Sequence, residues 1–198
     1  MRAVSESRIT PLWPLIMLLL IGFLAILPTT QIQLRFDISL LQTHEWWRLI
    51  SAHWVHLGWQ HTVLNALGLL LIWYIAPRGL WLYWWVFYIL SGLVISLVLL
   101  YQKQVANYVG ASGVLHGMLL LAAYYSRILP LTRRFVFIGI IVTKVIWEQT
   151  PWYSDDRLGQ VIGGYVVVDA HLWGVISGLV ALFFIELKNL WGFKQKDV

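Results

Sequence analysis

Two short segments of this chain carry the residue types for nucleophilic acyl transfer: Gly110-Ala111-Ser112-Gly113 and Asp169-Ala170-His171, each at the start of its own long apolar run. A serine hydroxyl is a poor nucleophile until a base takes its proton, so Ser112 and His171 matter together only if the fold joins them. A third group precedes them: His56, His61 and Asn65, also where an apolar run begins. His61 and Asn65 stand four apart and therefore share a helix face. Imidazole and amide N–H groups are suitable donors for the charge that develops on a carbonyl oxygen under attack. His56 comes before the firm helix and can contact the loop or water.

Other chemistries fit less well. The chain has no cysteine, which removes thiol catalysis, disulfides and thiolate-bound metal. His53, His56 and His61 could be read as metal ligands, but no carboxylate completes the set at suitable spacing and no His-Glu-x-x-His is present. No metal and no cofactor are expected.

The elements that must position these residues are set by composition. Sixty per cent of the 198 residues are hydrophobic and 12% are charged, against about 25% charged in soluble domains. The expected fold class is all-α, a polytopic membrane bundle. A crossing helix needs about 20 mostly apolar residues, and six runs qualify, at about 12–27, 57–76, 80–101, 112–129, 134–150 and 165–187, in one domain spanning 1–198. The first run follows Arg2 and Arg8, but Pro28-Thr29-Thr30 offers no small-x-small cleavage site, so it reads as a retained helix.

Net charge is +5, yet the basic residues are scattered among short loops rather than interleaved with aromatics, so no nucleic-acid partner is expected. With the N-terminus inside, Arg2, Arg8, Arg78, Arg127, Arg133, Arg134, Lys188, Lys194 and Lys196 are cytoplasmic, while Arg35, Arg48, Lys103 and Arg157 are outside. This asymmetry puts both termini in the cytoplasm. The long outer segment 28–56 contains Glu45-Trp46-Trp47-Arg48, which reads either as a glutamate–arginine pair bracing loop carbonyls or as an interfacial aromatic anchor. Asp155-Asp156 reads as part of a solvated outer loop. Lys144 and Glu148 interrupt the fifth run and, four apart, can pair on one face. If that run did not cross, His171 would move to the side opposite Ser112.

With six crossings, the second, fourth and sixth helices all run inward, so His56, His61, Asn65, Ser112 and His171 collect within about 15 Å of the outer surface. Small residues supply lateral approach. Gly113 and Gly117 lie on one helix, Ala170, Gly174 and Gly178 on another, and such spacing lets backbones pack closely.

The chain resembles the rhomboid intramembrane serine proteases, and within them the rhombosortase branch. The resemblance rests on Glu45-Trp46-Trp47-Arg48, His56, His61 and Asn65, Gly110-Ala111-Ser112-Gly113, and Ala170-His171 followed by Gly174 and Gly178, in order over residues 45–178. It implies a Ser112/His171 dyad without an acidic third member, with His61, Asn65 and the Ser112 backbone N–H as oxyanion donors, and His56, His116, Gly110 and Gly113 supporting the site. Two departures stand out. His116 occupies a position where many rhomboids carry an aromatic residue against the catalytic histidine; it can stack there or serve as an alternative base, and family position favours His171. Asp169, two residues before His171, should point away from the imidazole and line a wet cavity.

The implied substrates are membrane-anchored proteins in the lipid bilayer, with C-terminal Gly-Gly, an apolar helix and a basic tail. The implied setting is the bacterial inner membrane, with the site open to the periplasm. Alternatives are a general rhomboid protease with other single-helix substrates, an inactive relative that binds membrane helices, and a small transporter, which the lack of a repeated half disfavours.

Overall fold

The computed structural model describes residues 13–27, 29–41, 43–77 and 81–194. Arg2, Arg8, Arg78 and Lys196, which contribute to the charge count above, lie outside the described residues, as does Pro28.

Helices dominate. In chain order they are α1 (Trp13–Ile26), α2 (Thr30–Leu34), α3 (Ile38–Leu41), α4 (Arg48–Ser51), α5 (Trp59–Ile75), α6 (Trp81–Gln102), α7 (Ser112–Tyr125), α8 (Leu131–Glu148), α9 (Asp156–Ile162) and α10 (Val168–Lys194). Two helical stretches, Leu82–Gln102 and Val168–Asn189, are long and apolar enough to cross a membrane, and Arg48–Trp54 with Trp59–Ile75, bent by 88°, is long and apolar enough only if the bent pair is taken as one span. The other helices fall short for physical reasons. α7 has only 14 residues, about 21 Å of rise against a hydrocarbon core of about 30 Å. α8 carries Arg133, Arg134, Lys144 and Glu148.

α7 is the central element, packed against α5, α6, α8 and α10. Its Gly113, Val114, Leu115, Gly117, Met118, Leu120, Leu121, Ala122 and Ala123 are buried. Large apolar side chains on the outer helices instead point outward, among them Leu19, Tyr74, Leu90, Ile140 and Phe183. Such a surface is suited to lipid and costly in water.

The α7–α10 crossing is backbone against backbone. A Cβ added at Gly113 would lie 2.7 Å from the Ala170 carbonyl oxygen, and one at Gly178 would lie 2.9 Å from that of Gly117. Additions at Gly117 and Gly174 would run into the carbonyls of Gly174 and Gly113. The two small-residue stripes therefore face each other, the close approach that such spacing allows.

The segment between α1 and α5 is braced rather than loose. A two-stranded antiparallel ribbon, β1 (Phe36–Asp37) with β2 (Asn107–Tyr108), ties the long segment after α1 to the stretch leading into α7. Arg48 is buried and braces the same segment: Nε and Nη2 reach Glu45 Oε2 at 2.7 and 2.6 Å, and Nη1 donates to the carbonyls of Ile32 and Arg35 at 3.0 and 2.9 Å. Trp46 and Trp47 are exposed beside it. Asp37 is held by Ser39 and Arg35. Burial opposes ionisation of its carboxyl, but those hydrogen bonds and the Arg35 charge prevail and keep it below the usual carboxylate range.

One expectation is corrected. The stretch after α8 is not a plain solvated loop: Asp156–Ile162 forms α9, which packs on α5. Asp155 Oδ2 accepts the Val166 N–H at 2.7 Å, folding the turn back toward the start of α10.

Candidate active site

The approach of α7 to α10 brings Ser112 Oγ to 3.0 Å from His171 Nε2. His171 is buried. The imidazole of His116, one turn along α7, stacks on it with ring centroids 4.2 Å apart and planes inclined at 28°. His116 Nδ1 lies 2.7 Å from the Ser112 carbonyl oxygen, and because a carbonyl only accepts, Nδ1 carries the proton. His116 is thus turned to its own helix backbone, with Nε2 facing Lys144 Nζ at 2.9 Å.

The far edge of His171 meets α8. Its Nδ1 lies 3.0 and 3.1 Å from the two carboxylate oxygens of Glu148, whose side chain is only 1% exposed. Lys144 Nζ contacts Glu148 at 2.7 Å and comes within 3.2 Å of His171 Nδ1. The resemblance implies a dyad without an acidic third member; the structure places a carboxylate, from α8, beside the imidazole. Sequence reasoning saw Glu148 only as the partner of Lys144; the available signal was its place at the outer end of its run, the depth inferred for His171. Asp169 lines the large cavity described below.

The donors expected on α5 converge on the same place. Leu57 N–H donates to His61 Nδ1 at 3.3 Å, which leaves the proton on Nε2. Asn65 Nδ2 donates to the His61 carbonyl at 2.9 Å, so one amide hydrogen remains, while Oδ1 is buried without a protein partner. His56 is buried edge-on against His61, with centroids 4.9 Å apart, and acts as its wall. Gly110 has φ +118°, and a Cβ there would lie 2.7 Å from His61 Cε1, so glycine is required both for the backbone turn and for the ring beside it. Gly110 N–H is fixed to the Ala52 carbonyl at 2.9 Å. The Ser112 N–H opens α7, where first-turn amides lack intrahelical partners.

Two cavities meet at Ser112 and His61. One, of about 610 Å³, is bounded by Gln31, Arg35, Tyr108, Val166 and Asp169. The other, of about 210 Å³, lies among Leu64, Gly68, Leu115, Leu119 and Leu158, with Asn65, His116, Lys144 and His171 at its polar end.

A second serine–histidine contact provides a control. His53 Nε2 lies 3.0 Å from Ser96 Oγ, but the same nitrogen is 2.8 Å from the Gly92 carbonyl and must hold its proton toward it. Ser96 Oγ meanwhile donates to the Leu49 carbonyl at 2.6 Å. Proton donor and acceptor are both committed, so this pair is core structure. His116, Glu148 and His171 also form a set of metal-ligand type. Lys144 Nζ is within hydrogen-bond distance of all three and fills with a protein cation the position an ion would take.

The model for the Rhomboid domain matches residues 43–188, most of the chain, including Ser112, His171, Glu148, His61 and Asn65. The chain belongs to the rhomboid family. Rhomboids act on membrane-protein substrates within a lipid bilayer, and this rhomboid, with its apolar helices, is an integral membrane protein with an intramembrane-protease-like function. A comparison with curated proteins gave no match.

Proposed function

We propose that this rhomboid is a serine endopeptidase of rhombosortase type in the bacterial inner membrane, cutting the C-terminal Gly-Gly anchors of exported proteins near the outer leaflet. The observation that carries the reading is the 3.0 Å approach of Ser112 Oγ to His171 Nε2. In the reaction Ser112 Oγ bonds to the scissile carbonyl carbon as its proton passes to His171 Nε2. When the carbon–nitrogen bond breaks, Nε2 gives that proton to the leaving amine, and the acyl group on Ser112 passes to water or another amine. The His61 Nε2–H, the spare Asn65 amide hydrogen and the Ser112 backbone N–H serve as oxyanion donors. Nothing in these steps calls for a cofactor.

The reading takes α1, α5, α6, α7, α8 and α10 as six crossings of one domain with both termini cytoplasmic. The charge asymmetry supports it, as does the depth that it gives α7. A helix shorter than the hydrocarbon core leaves its first residue below the surface, where a cavity must bring water in. The substrate helix must unwind locally, because an intact helix hides its carbonyls in its own hydrogen bonds.

A model substrate with one apolar helix and a basic tail, preceded by Gly-Gly or Ala-Ala, tests the whole. Each glycine weakens a helix by about 1 kcal/mol relative to alanine, so the Gly-Gly form should be cut about thirtyfold faster. Ser112→Ala should cut neither and should lose labelling by a serine-directed phosphonate. Turnover by that variant would remove the serine mechanism; equal cleavage of the two substrates would remove the Gly-Gly specificity alone.

A further inference from the structure

We infer that Glu148 positions the base of this site, so that the working unit is Ser112–His171–Glu148 with Lys144 as its built-in counter-ion; this rests on the serine-protease reading above. An ionised carboxylate only accepts hydrogen bonds. His171 Nδ1 faces both Glu148 oxygens, at 3.0 and 3.1 Å, and Lys144 Nζ at 3.2 Å; the ammonium has shorter contacts to Glu148 and to His116 Nε2, so the imidazole proton is assigned to Nδ1, donated to Glu148, and the Nε2 lone pair faces the Ser112 hydroxyl. That is the tautomer that can take the serine proton; the other cannot. As Nε2 is protonated, the positive imidazolium forms against a negative carboxylate that keeps no proton itself, and the charge returns to zero when Nε2 releases its proton to the leaving amine.

The alternative, a Lys144–Glu148 ion pair with no bearing on His171, does not account for where Glu148 is placed, since Lys144 is partly open to its surroundings and Glu148 is not. It is the last residue of α8, where the helix dipole disfavours an acid, and its side chain is 1% exposed. Lys144, one turn earlier on the same helix, offsets both penalties through its 2.7 Å contact. Lys144 is itself aimed by His116, whose Nδ1 proton is committed to the Ser112 carbonyl, so its Nε2 accepts from the ammonium. This ring of contacts ties the nucleophile's own backbone to the group that orients its base.

Glu148→Gln gives the sharpest variant. Lys144 would take the one remaining acceptor oxygen, turning the new amide N–H toward His171 Nδ1 and forcing the proton onto Nε2. In purified protein with the model substrate, kcat should fall about a thousandfold or more, with KM held within about threefold because Glu148 lines neither cavity. Glu148→Asp keeps a group that only accepts and should run at least about tenfold faster than Glu148→Gln. Should Glu148→Gln fail to fold, nitrogen-15 NMR of histidine-labelled wild type decides, with His171→Ala assigning the signal: protonation at Nδ1 is expected, and a neutral His171 protonated at Nε2 overturns the inference. So does a Glu148→Gln kcat within about threefold of wild type, or an Asp variant no faster than Gln. If Glu148→Gln is fully active while Ser112→Ala is inert, only the role of Glu148 fails. Cleavage by Ser112→Ala removes the underlying serine mechanism.

Discussion

Asn65 has one amide hydrogen to spare, since the other is given to the His61 carbonyl. Asn65→Ala should therefore remove one of three oxyanion donors and slow kcat by about 10²–10³-fold, a smaller loss than Ser112→Ala causes. Single-turnover rates at matched folded concentration check the order; an Asn65 variant as inert as the serine variant would mean that Asn65 does more than donate. At this scale the sequence is uneven in what it reveals. Ser112, His171, His61 and Asn65 stand beside glycines or at helical spacing, which marks them without any structure. The contact of Glu148 with His171 was hidden because spacing within one helix shows its pairing with Lys144, whereas reaching another helix depends on the rotation of α8 about its axis. The four charged residues Arg133, Arg134, Lys144 and Glu148 give α8 a polar side, but nothing in the sequence says which neighbouring helix that side meets.

Among the elements, the α7–α10 crossing decides whether serine and histidine meet. Gly174→Ala puts a methyl group where the Gly113 carbonyl lies. Separating the helices should cost about 1–3 kcal/mol of stability and abolish phosphonate labelling of Ser112, because the two reacting groups sit on either side of the shifted contact. Gly139 on α8 is the control. A Cβ there meets nothing within 4 Å, so Gly139→Ala should hold or raise stability, by up to about 1 kcal/mol, and leave labelling intact. Thermal unfolding and labelling of both variants check this, and equal behaviour would contradict the packing argument. The small residues at every fourth position made this crossing readable in advance. α9 was not readable: seven residues that begin at the second of two aspartates and end before Gly163-Gly164 carry too short a pattern to separate from a loop, and its place is set by packing on α5.

At the scale of the whole molecule, the proposed orientation can be tested at the loops. Cysteines introduced at Gln104, between α6 and α7, and at Ile128, between α7 and α8, are both at exposed positions. On the proposed orientation, an impermeant thiol reagent should reach Gln104 from the periplasmic side of intact cells and Ile128 only after the inner membrane is opened. Reaction at both in intact cells would overturn six crossings and the outer-leaflet site. Charge asymmetry can be counted in the sequence, and the orientation it supports is what this labelling tests. The number of crossings is harder to read, since α7 is short and α8 is charged, and both depend on neighbouring helices for shelter.

The glycine-on-carbonyl crossing also bears on how a substrate enters. Where two backbones touch, there are no rotamers to change and no side chains to slide, so α7 and α10 form a fixed jaw. α5 and α9 meet the second cavity through Leu64, Leu158 and Ile162, whose side chains can repack. The compliant jaw is on that side, and a helix entering from the lipid would displace leucines and isoleucine while the serine and its base keep their distance.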